Sequence, residues 1–259
     1  MSTHPGFGSR EFATSFNSVA AEYATARPDY PATLYDAIEE LADRPLAGAR
    51  VLDVGAGTGL GTRPMLRRGA TVTAAEPGPG MAGQLRARLP AVRLVRADGN
   101  ALPFTAGAFD LVTYAQAFHW TDPTRAVPEA RRVLRPGGAL ALWWNVPDRT
   151  VPWQRDQERR LRARLTGYHR GDISAEAPGI LADLDPALTT HYREVGWSRD
   201  LPLAAHLANL ATHSFFAVLG PEASRAVIDD ERALLEREFP EGEVTESYTV
   251  RLTVARVRG

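Results

Sequence analysis

The chain has 259 residues, 44% of them hydrophobic and 24% charged, which is typical of a globular protein with a buried core. Its formal net charge of −1 provides no general attraction for a polyanion, so we expect no nucleic-acid partner. The chain has no cysteine and all 30 of its basic residues are arginine, which excludes disulfides, thiolate metal sites, lysine phosphate loops and Schiff-base catalysis.

Targeting and membrane-spanning patterns are not found in the sequence. Residues 1–10 contain no apolar stretch of signal-peptide length, and no run of about 18 apolar residues follows. No histidine spacing suggests a metal site, and we expect no bound metal. We therefore expect a cytoplasmic protein without membrane contacts, and the sequence leaves its oligomeric state open.

Two helices are predicted before the first strand. The first carries an apolar stripe at i, i+3, i+4 and i+7, formed by Phe16, Val19, Ala20 and Tyr23. The turn at residues 27–31 contains two prolines and ends this helix, because residues before proline avoid the helical region. A second helix is predicted over residues 32–42.

A glycine-rich loop follows the first predicted strand, residues 50–54. It reads Gly55-Ala56-Gly57-Thr58-Gly59, and glycine permits positive φ and lets a ligand approach the backbone. The dinucleotide fingerprint needs glycine at its first, third and sixth positions, but the sixth is Leu60 or Thr62 in the two possible registers. The loop therefore favours another nucleoside cofactor, with a simple strand–helix connection as the structural alternative.

The next elements alternate in the manner of a parallel α/β sheet. Helices are predicted from about Gly61, over 80–89 and over 122–134, the last interrupted by Pro128. Strands are predicted over 70–75, 92–97, 109–116 and 139–145. This rhythm indicates right-handed crossovers.

The alternation ends after residue 145. Helices are predicted over 153–165, 203–219 and 221–239, and a final strand over 244–257 that should lie at a sheet edge. Asp156 and Glu158 interleave the arginines of the first of these helices, which favours a salt-bridged lid over an RNA-binding surface. We predict one domain with N-terminal helices (1–45), a cofactor-binding core (46–145), a substrate-side insertion (146–201), and C-terminal helices with the final strand (202–259).

Candidate ligand-binding residues follow the predicted strands, because open α/β sheets bind ligands at the carboxyl ends of their strands. Glu76 follows the second strand, and its carboxylate can accept from both hydroxyls of a ribose. Asp98 and Gly99 follow the third, where an acceptor suits an adenine amine and Leu102 could pack on the ring. Each acidic residue could instead be a turn former or helix cap. Asp53 lies inside the first strand, where holding the loop amides is as plausible as contacting the ligand.

Residues 16–145 resemble the small-molecule class I methyltransferases, the group that includes trans-aconitate and quinone-biosynthesis methyltransferases. The matching pieces are the segment from Phe16 through Tyr23 and Arg27 to Pro31, VLDVGAGTG, AAEP, ADGNALPF, AFHW and RVLRPGGAL. The resemblance implies a Rossmann-like αβα sandwich whose seven-stranded, mostly parallel sheet has an antiparallel last strand. It also implies S-adenosylmethionine as the methyl donor and S-adenosylhomocysteine as the product.

The resemblance also implies the roles of individual residues. Gly55, Gly57 and Gly59 would line the cofactor, Glu76 would hold the ribose and Asp98 the adenine. Tyr23 and Arg27 would close over the methionine end, with Gln116 beneath it.

A methyltransferase depends mainly on positioning, which contributes about 7–11 kcal/mol in favourable cases, whereas a general base adds roughly 10²–10⁴-fold. His119 is the candidate base, with a structural role as the alternative. The aromatic residues expected around the acceptor are Phe118, Trp120, Trp143, Trp144 and Trp153, although one of the adjacent pair on the fifth strand must be core.

These rings favour an aromatic or hydrophobic small-molecule acceptor, of the kind found in secondary metabolism. A carboxylate acceptor held by Arg27 stays open, as does the choice of an oxygen, nitrogen or carbon nucleophile. The alternatives in function are a methyltransferase-fold cyclase or cofactor-binding module, and a nucleotide-dependent oxidoreductase.

Overall fold

The computed structural model describes residues 27–165 and 173–257. In chain order its elements are α1 (Ala32–Ala42), β1 (Arg50–Val54), α2 (Thr62–Arg67), β2 (Thr71–Ala75), α3 (Pro79–Arg88), β3 (Arg93–Val95), β4 (Phe109–Ala115), a 3₁₀ turn (Phe118–Trp120), α4 (Pro123–Val133), β5 (Leu134–Pro147), α5 (Pro152–Arg164), α6 (Ile173–Leu184), β6 (Leu188–Pro202), α7 (Leu203–Ala211), α8 (Ser214–Leu219), α9 (Pro221–Glu238) and β7 (Glu243–Val257). None of the helices in these two ranges is both long and apolar enough to cross a bilayer.

The strands form one seven-stranded sheet in the order β3-β2-β1-β4-β5-β7-β6. Neighbours from β3 to β5 pair in parallel, while β7 is antiparallel to both β5 and β6. The expected Rossmann-like sheet with a reversed last strand is confirmed. Because strand order changes direction between β1 and β4, the ligand crevice should open at their carboxyl ends.

The position of the last strand differs from the expectation. β7 is paired on both sides, so the prediction of an edge strand was wrong, and β6 forms the edge instead. No strand was predicted over residues 188–202, because the segment is largely polar and contains no apolar run. Pairing with β7 along its whole length, from Leu188 opposite Val257 to Pro202 opposite Glu243, makes this polar segment a strand.

Pro128 does not interrupt α4, contrary to the prediction. The helix is continuous from Pro123 to Val133, although a proline removes one helical hydrogen bond and costs about 3 kcal/mol. α4 buries Ala126, Val127 and Ala130 against the sheet, and this tertiary packing offsets the local cost.

The sheet is covered on both faces. One apolar cluster joins α1 to the face that carries Trp143, and the other joins α4 and α6 to the face that carries Trp144. Adjacent residues of a strand point to opposite faces, which is why the two tryptophans belong to different clusters.

Three strands continue beyond the carboxyl end of β4. Ala115 of β4 pairs with Trp143, yet β5 runs on to Pro147 and the β6–β7 pair runs further, to Pro202 and Glu243. We call this overhanging part of β6 and β7 (196–202 and 243–249), with the helices packed on it, the extension. A cluster from α5, α7, α9 and β7 holds it together: Trp153, Leu203, Leu207, Leu235 and Val244.

Candidate active site

The backbone angles and close contacts of the glycine loop require glycine. Gly55, Gly57 and Gly59 have φ values of 66°, 56° and 90°. A Cβ on Gly55 would lie 2.5 Å from the Cβ of Ala117, and one on Gly59 would lie 2.8 Å from Cδ1 of Leu89. At Gly57 the nearest such contact is 4.0 Å away, so the loop offers open backbone there for a ligand to approach.

Glu76 holds this loop. Its Oε2 accepts a hydrogen bond from the Gly57 amide at 2.9 Å, and its Oε1 accepts one from the Gly78 amide at 2.7 Å. Burial raises the pKa of the Glu76 carboxyl, and the two amides partly oppose that shift. Each carboxylate oxygen keeps a second lone pair, so Glu76 can still accept from a ligand hydroxyl.

Asp53 connects the structural elements beneath the loop. The side chain is fully buried, and its two oxygens accept from the hydroxyls of Thr62 at 2.6 Å and Thr113 at 2.9 Å. Burial raises its pKa to about 6. Among the described residues it therefore joins β1, β4 and the start of α2 through hydroxyls, and not through the loop amides.

The loop after β3 is also built by hydrogen bonds. Asp98 is exposed, and its Oδ1 accepts from the Asn100 amide at 2.9 Å. Gly99 is buried, and a Cβ there would lie 3.0 Å from Val54 and from Thr121. Leu102 is 4% exposed and belongs to the core, so little of it is available to stack on a ligand ring.

Glu129 and Arg132 of α4 support the same loop. Oε2 of Glu129 accepts from the Leu102 amide at 2.7 Å, and Arg132 donates to the carbonyls of Leu102 and Phe104 at 2.9 and 2.7 Å. Sequence reasoning missed both residues, because a Glu and an Arg at i and i+3 of a helix resemble an ordinary surface pair.

Gln116 lies at the end of β4 with φ of 52°, a region that non-glycine residues rarely occupy. Its amide donates to the Trp143 carbonyl at 2.8 Å, and its Nε2 lies 3.4 Å from the hydroxyl of Tyr30. The next residue, Ala117, is the one that abuts Gly55. This turn therefore brings the end of β4 against the glycine loop.

Residues 27–31, which we call the strap, connect the core to the extension. Arg27 donates to the Thr212 carbonyl at the end of α7 at 3.2 Å. Both carboxylate oxygens of Asp29 accept from Arg63 of α2, at 2.8 and 2.7 Å. Tyr23 lies outside the described residues, so its predicted role at the methionine end stays a prediction.

His119 lies in the 3₁₀ turn after Gln116 and is half-buried. Its Nδ1 accepts a hydrogen bond from Nε1 of Trp144 at 3.1 Å. Burial lowers the pKa of the imidazole to about 4, and the nearby Arg27 guanidinium contributes to that shift. The ring is therefore neutral at physiological pH.

Four of the five aromatic residues predicted around the acceptor have different surroundings. Phe118 is fully buried and packs edge-on against Tyr114 at 5.5 Å. Trp153 is buried among helices of the extension, 5.2 Å from the ring of His206. Both are buried in this structure, and their place in the acceptor wall stays a prediction. Trp144 is 5% exposed, whereas Trp120 is half-buried with its ring centroid 4.4 Å from that of His119.

A buried polar network inside the extension was not predicted. Glu246 accepts from Arg199 at 2.7 Å, from Nδ1 of His206 at 2.6 Å and from the Tyr248 hydroxyl at 2.8 Å. Burial opposes ionisation of Glu246, yet the His206 hydrogen bond and the Arg199 charge keep its pKa below the usual value. These contacts fix α7 to the β6–β7 pair. The partners lie 40 residues or more from Glu246 in sequence, except Tyr248, so no local pattern indicated them.

The arginine-rich helix α5 is paired with acidic residues. Glu158 contacts Arg149 at 2.6 Å and Arg162 at 2.7 Å, and Arg160 contacts the buried Glu231 of α9 at 2.7 Å. This pattern resembles the salt-bridged helix expected from the interleaved charges.

Known proteins resemble this chain over most of its length. A family model described as a methyltransferase domain matches residues 52–142. An uncharacterized methyltransferase of Mycobacterium tuberculosis is 34% identical over 230 residues, 87% of each chain. A demethylmenaquinone methyltransferase of Clavibacter sepedonicus is 38% identical over 102 residues, which is 38% of this chain and 42% of that one.

A solved methyltransferase structure has the same fold as this chain. A putative type II methyltransferase from Anaeromyxobacter dehalogenans superimposes with a TM-score of 0.67 at 24% identity, covering 90% of this chain and 97% of its own. The chain belongs to the class I, S-adenosylmethionine-dependent small-molecule methyltransferases.

Proposed function

We propose that this protein binds S-adenosylmethionine at the glycine loop and transfers its methyl group to an aromatic or hydrophobic small molecule. The observation that carries the proposal is the contact between Glu76 and the Gly57 amide. It places a buried carboxylate beside open backbone at the point where strand order changes direction, the position in which open α/β sheets bind nucleosides.

The chemistry of the residues around the loop suits this cofactor. Glu76 would accept from the ribose hydroxyls and Asp98 from the adenine amine, while Gln116 and the strap would adjoin the methionine end. When bound, the cofactor supplies an already activated methyl group. The protein's own task is then to exclude water and to align the acceptor with that methyl group.

Aromatic side chains near this end of the sheet support a flat acceptor. Trp120 lies beside His119, and Trp197 stacks on Tyr248 at 5.3 Å. The demethylmenaquinone methyltransferase among the relatives, by its name, acts on a quinone-type molecule, which agrees with an aromatic acceptor.

Replacing Glu76 with glutamine tests the cofactor site. A carboxamide accepts through one oxygen only, so either the Gly57 or the Gly78 amide loses its acceptor, together with any ribose hydroxyl bound on that side. We expect the dissociation constant for S-adenosylmethionine to rise roughly tenfold, as for loss of one charge-assisted hydrogen bond. Isothermal titration calorimetry measures this, with Glu236→Gln on the exposed face of α9 as the matched control. Equal affinity for wild type and Glu76→Gln would contradict the assignment.

Methyl transfer itself is tested with labelled cofactor. We expect S-adenosylmethionine to raise the melting temperature and NADH to leave it unchanged, and label to pass to members of a panel of phenols, indoles, quinols and aromatic acids. Stabilisation by NADH alone would favour the oxidoreductase alternative. Tight cofactor binding without transfer to any acceptor would favour the cyclase or cofactor-binding alternative.

A further inference from the structure

The hydrogen bond between Trp144 and His119 determines which ring nitrogen of the histidine carries a proton. An indole N–H can only donate, so Nδ1 of His119 must present its lone pair to Nε1 of Trp144, 3.1 Å away. A neutral imidazole has one N–H. When Nδ1 is the acceptor, that proton is on Nε2.

The ring is held neutral as well as oriented. Burial and the Arg27 guanidinium lower the pKa of His119 to about 4, which disfavours the imidazolium. A histidine acting as base would have to become that imidazolium, and its Nδ1 lone pair is already engaged by Trp144. Both observations argue against His119 as a proton acceptor at neutral pH.

The Nε2–H group has no hydrogen-bond partner anywhere in residues 27–165 and 173–257, and it is not among the fully buried polar atoms of this region. His119 follows Ala117, the residue that contacts Gly55 of the cofactor loop. An available donor therefore lies at the carboxyl end of β4, two residues from the glycine loop contact.

We propose that His119 donates a hydrogen bond through Nε2–H to an oxygen of the methyl acceptor, and that the acceptor enters the site as an oxyanion such as a carboxylate. The neighbouring positive charge of Arg27 favours the same kind of group. This inference rests on the proposed methyl transfer, and it replaces the role of base predicted from the sequence.

The reaction then needs no proton transfer. An oxygen lone pair of the carboxylate forms the new bond to the methyl carbon, and the carbon–sulfur bond breaks with its electron pair going to sulfur. The products are a methyl ester and a neutral thioether. His119 and Arg27 would hold the second carboxylate oxygen in line while the first one reacts.

The tautomer is tested first, on the full chain without cofactor. In protein carrying ¹⁵N-labelled histidine, His119→Gln assigns the His119 signals among the 6 histidines. We expect a proton on Nε2 from pH 5.5 to 8, and a mixture of tautomers in Trp144→Phe, which lacks the indole donor. A proton on Nδ1, or titration near pH 6.5, would overturn the proposal whether or not the protein transfers methyl groups.

The oxyanion is tested with benzoate in the presence of S-adenosylhomocysteine. We expect benzoate, but not benzyl alcohol, to shift the Nε2–H resonance. His119→Ala should weaken benzoate binding roughly tenfold, whereas His119→Gln, which retains an N–H near that position, should stay within about twofold. No shift with benzoate, or equal shifts with both compounds, would refute the oxyanion assignment. Failure of S-adenosylhomocysteine to bind would instead refute the proposed function, leaving the tautomer result intact.

Discussion

Replacing Gly55 with alanine is expected to weaken S-adenosylmethionine binding at least about 100-fold and to destabilise the fold by roughly 2–4 kcal/mol. The residue has φ of 66°, which costs an alanine about 1 kcal/mol. The new methyl group would also lie 2.5 Å from the Cβ of Ala117, well inside van der Waals contact. Because Ala117 offers no flexible side-chain end, the loop or the end of β4 must move. Calorimetric titration and urea unfolding measure the two effects.

Two other glycines separate the steric from the conformational part of that cost. Gly57 has positive φ but no close neighbour, so Gly57→Ala should lose only about 1 kcal/mol of stability. Gly83 lies in α3 with ordinary φ and nothing within 4 Å, so Gly83→Ala should be neutral or stabilising by up to about 1 kcal/mol. A Gly55→Ala protein as stable as Gly57→Ala would contradict the close approach to Ala117.

Asp53 should make the fold less stable as pH rises. Burial raises its folded-state pKa to about 6, above the unfolded value near 3.8, so the folded state binds the proton more tightly. The stability from this proton is fully present below about pH 4 and is lost as pH rises to about 6, by about 3 kcal/mol in total. Unfolding free energies of wild type and Asp53→Asn, compared between pH 3.5 and 7.5, isolate this dependence from other groups.

The asparagine variant should therefore gain stability relative to wild type as pH rises, since its carboxamide cannot ionise. Asp53→Ala is the contrasting variant, because it leaves the hydroxyls of Thr62 and Thr113 without their acceptor in a buried site. It should be about 2–4 kcal/mol less stable than Asp53→Asn at any pH, because neither variant ionises at this position. Parallel pH curves for wild type and Asp53→Asn would show that Asp53 does not titrate in this range.

Sequence reasoning predicted well those parts of the fold that are determined by residues close together in the chain. The loop from Gly55 to Gly59 can be recognised in the sequence, because glycine lacks a Cβ and readily adopts the positive φ found there. Glu76 could be placed because the end of a parallel strand is defined by the apolar run before it, and ligands bind at that end.

Features built from distant residues could not be predicted in this way. β6 is a strand because β7 pairs with it, although its own side chains show no buried run. The partner of His119 is Trp144, 25 residues away on β5, and only that contact indicates which ring nitrogen carries the proton. Phe118 and Trp153 have the composition of a binding pocket, and no local sequence pattern reveals that both are buried against their neighbours.

The position of β7 between β5 and β6 has a consequence for the order of folding. Synthesis delivers β6 more than 40 residues before β7, so β6 has no neighbour in the sheet until the last strand is made. The Glu246 network and the surface on which α7 packs also form only after β7 has been made. Strands β1 to β5 can thus condense first, whereas the extension matures only after β7 has been made.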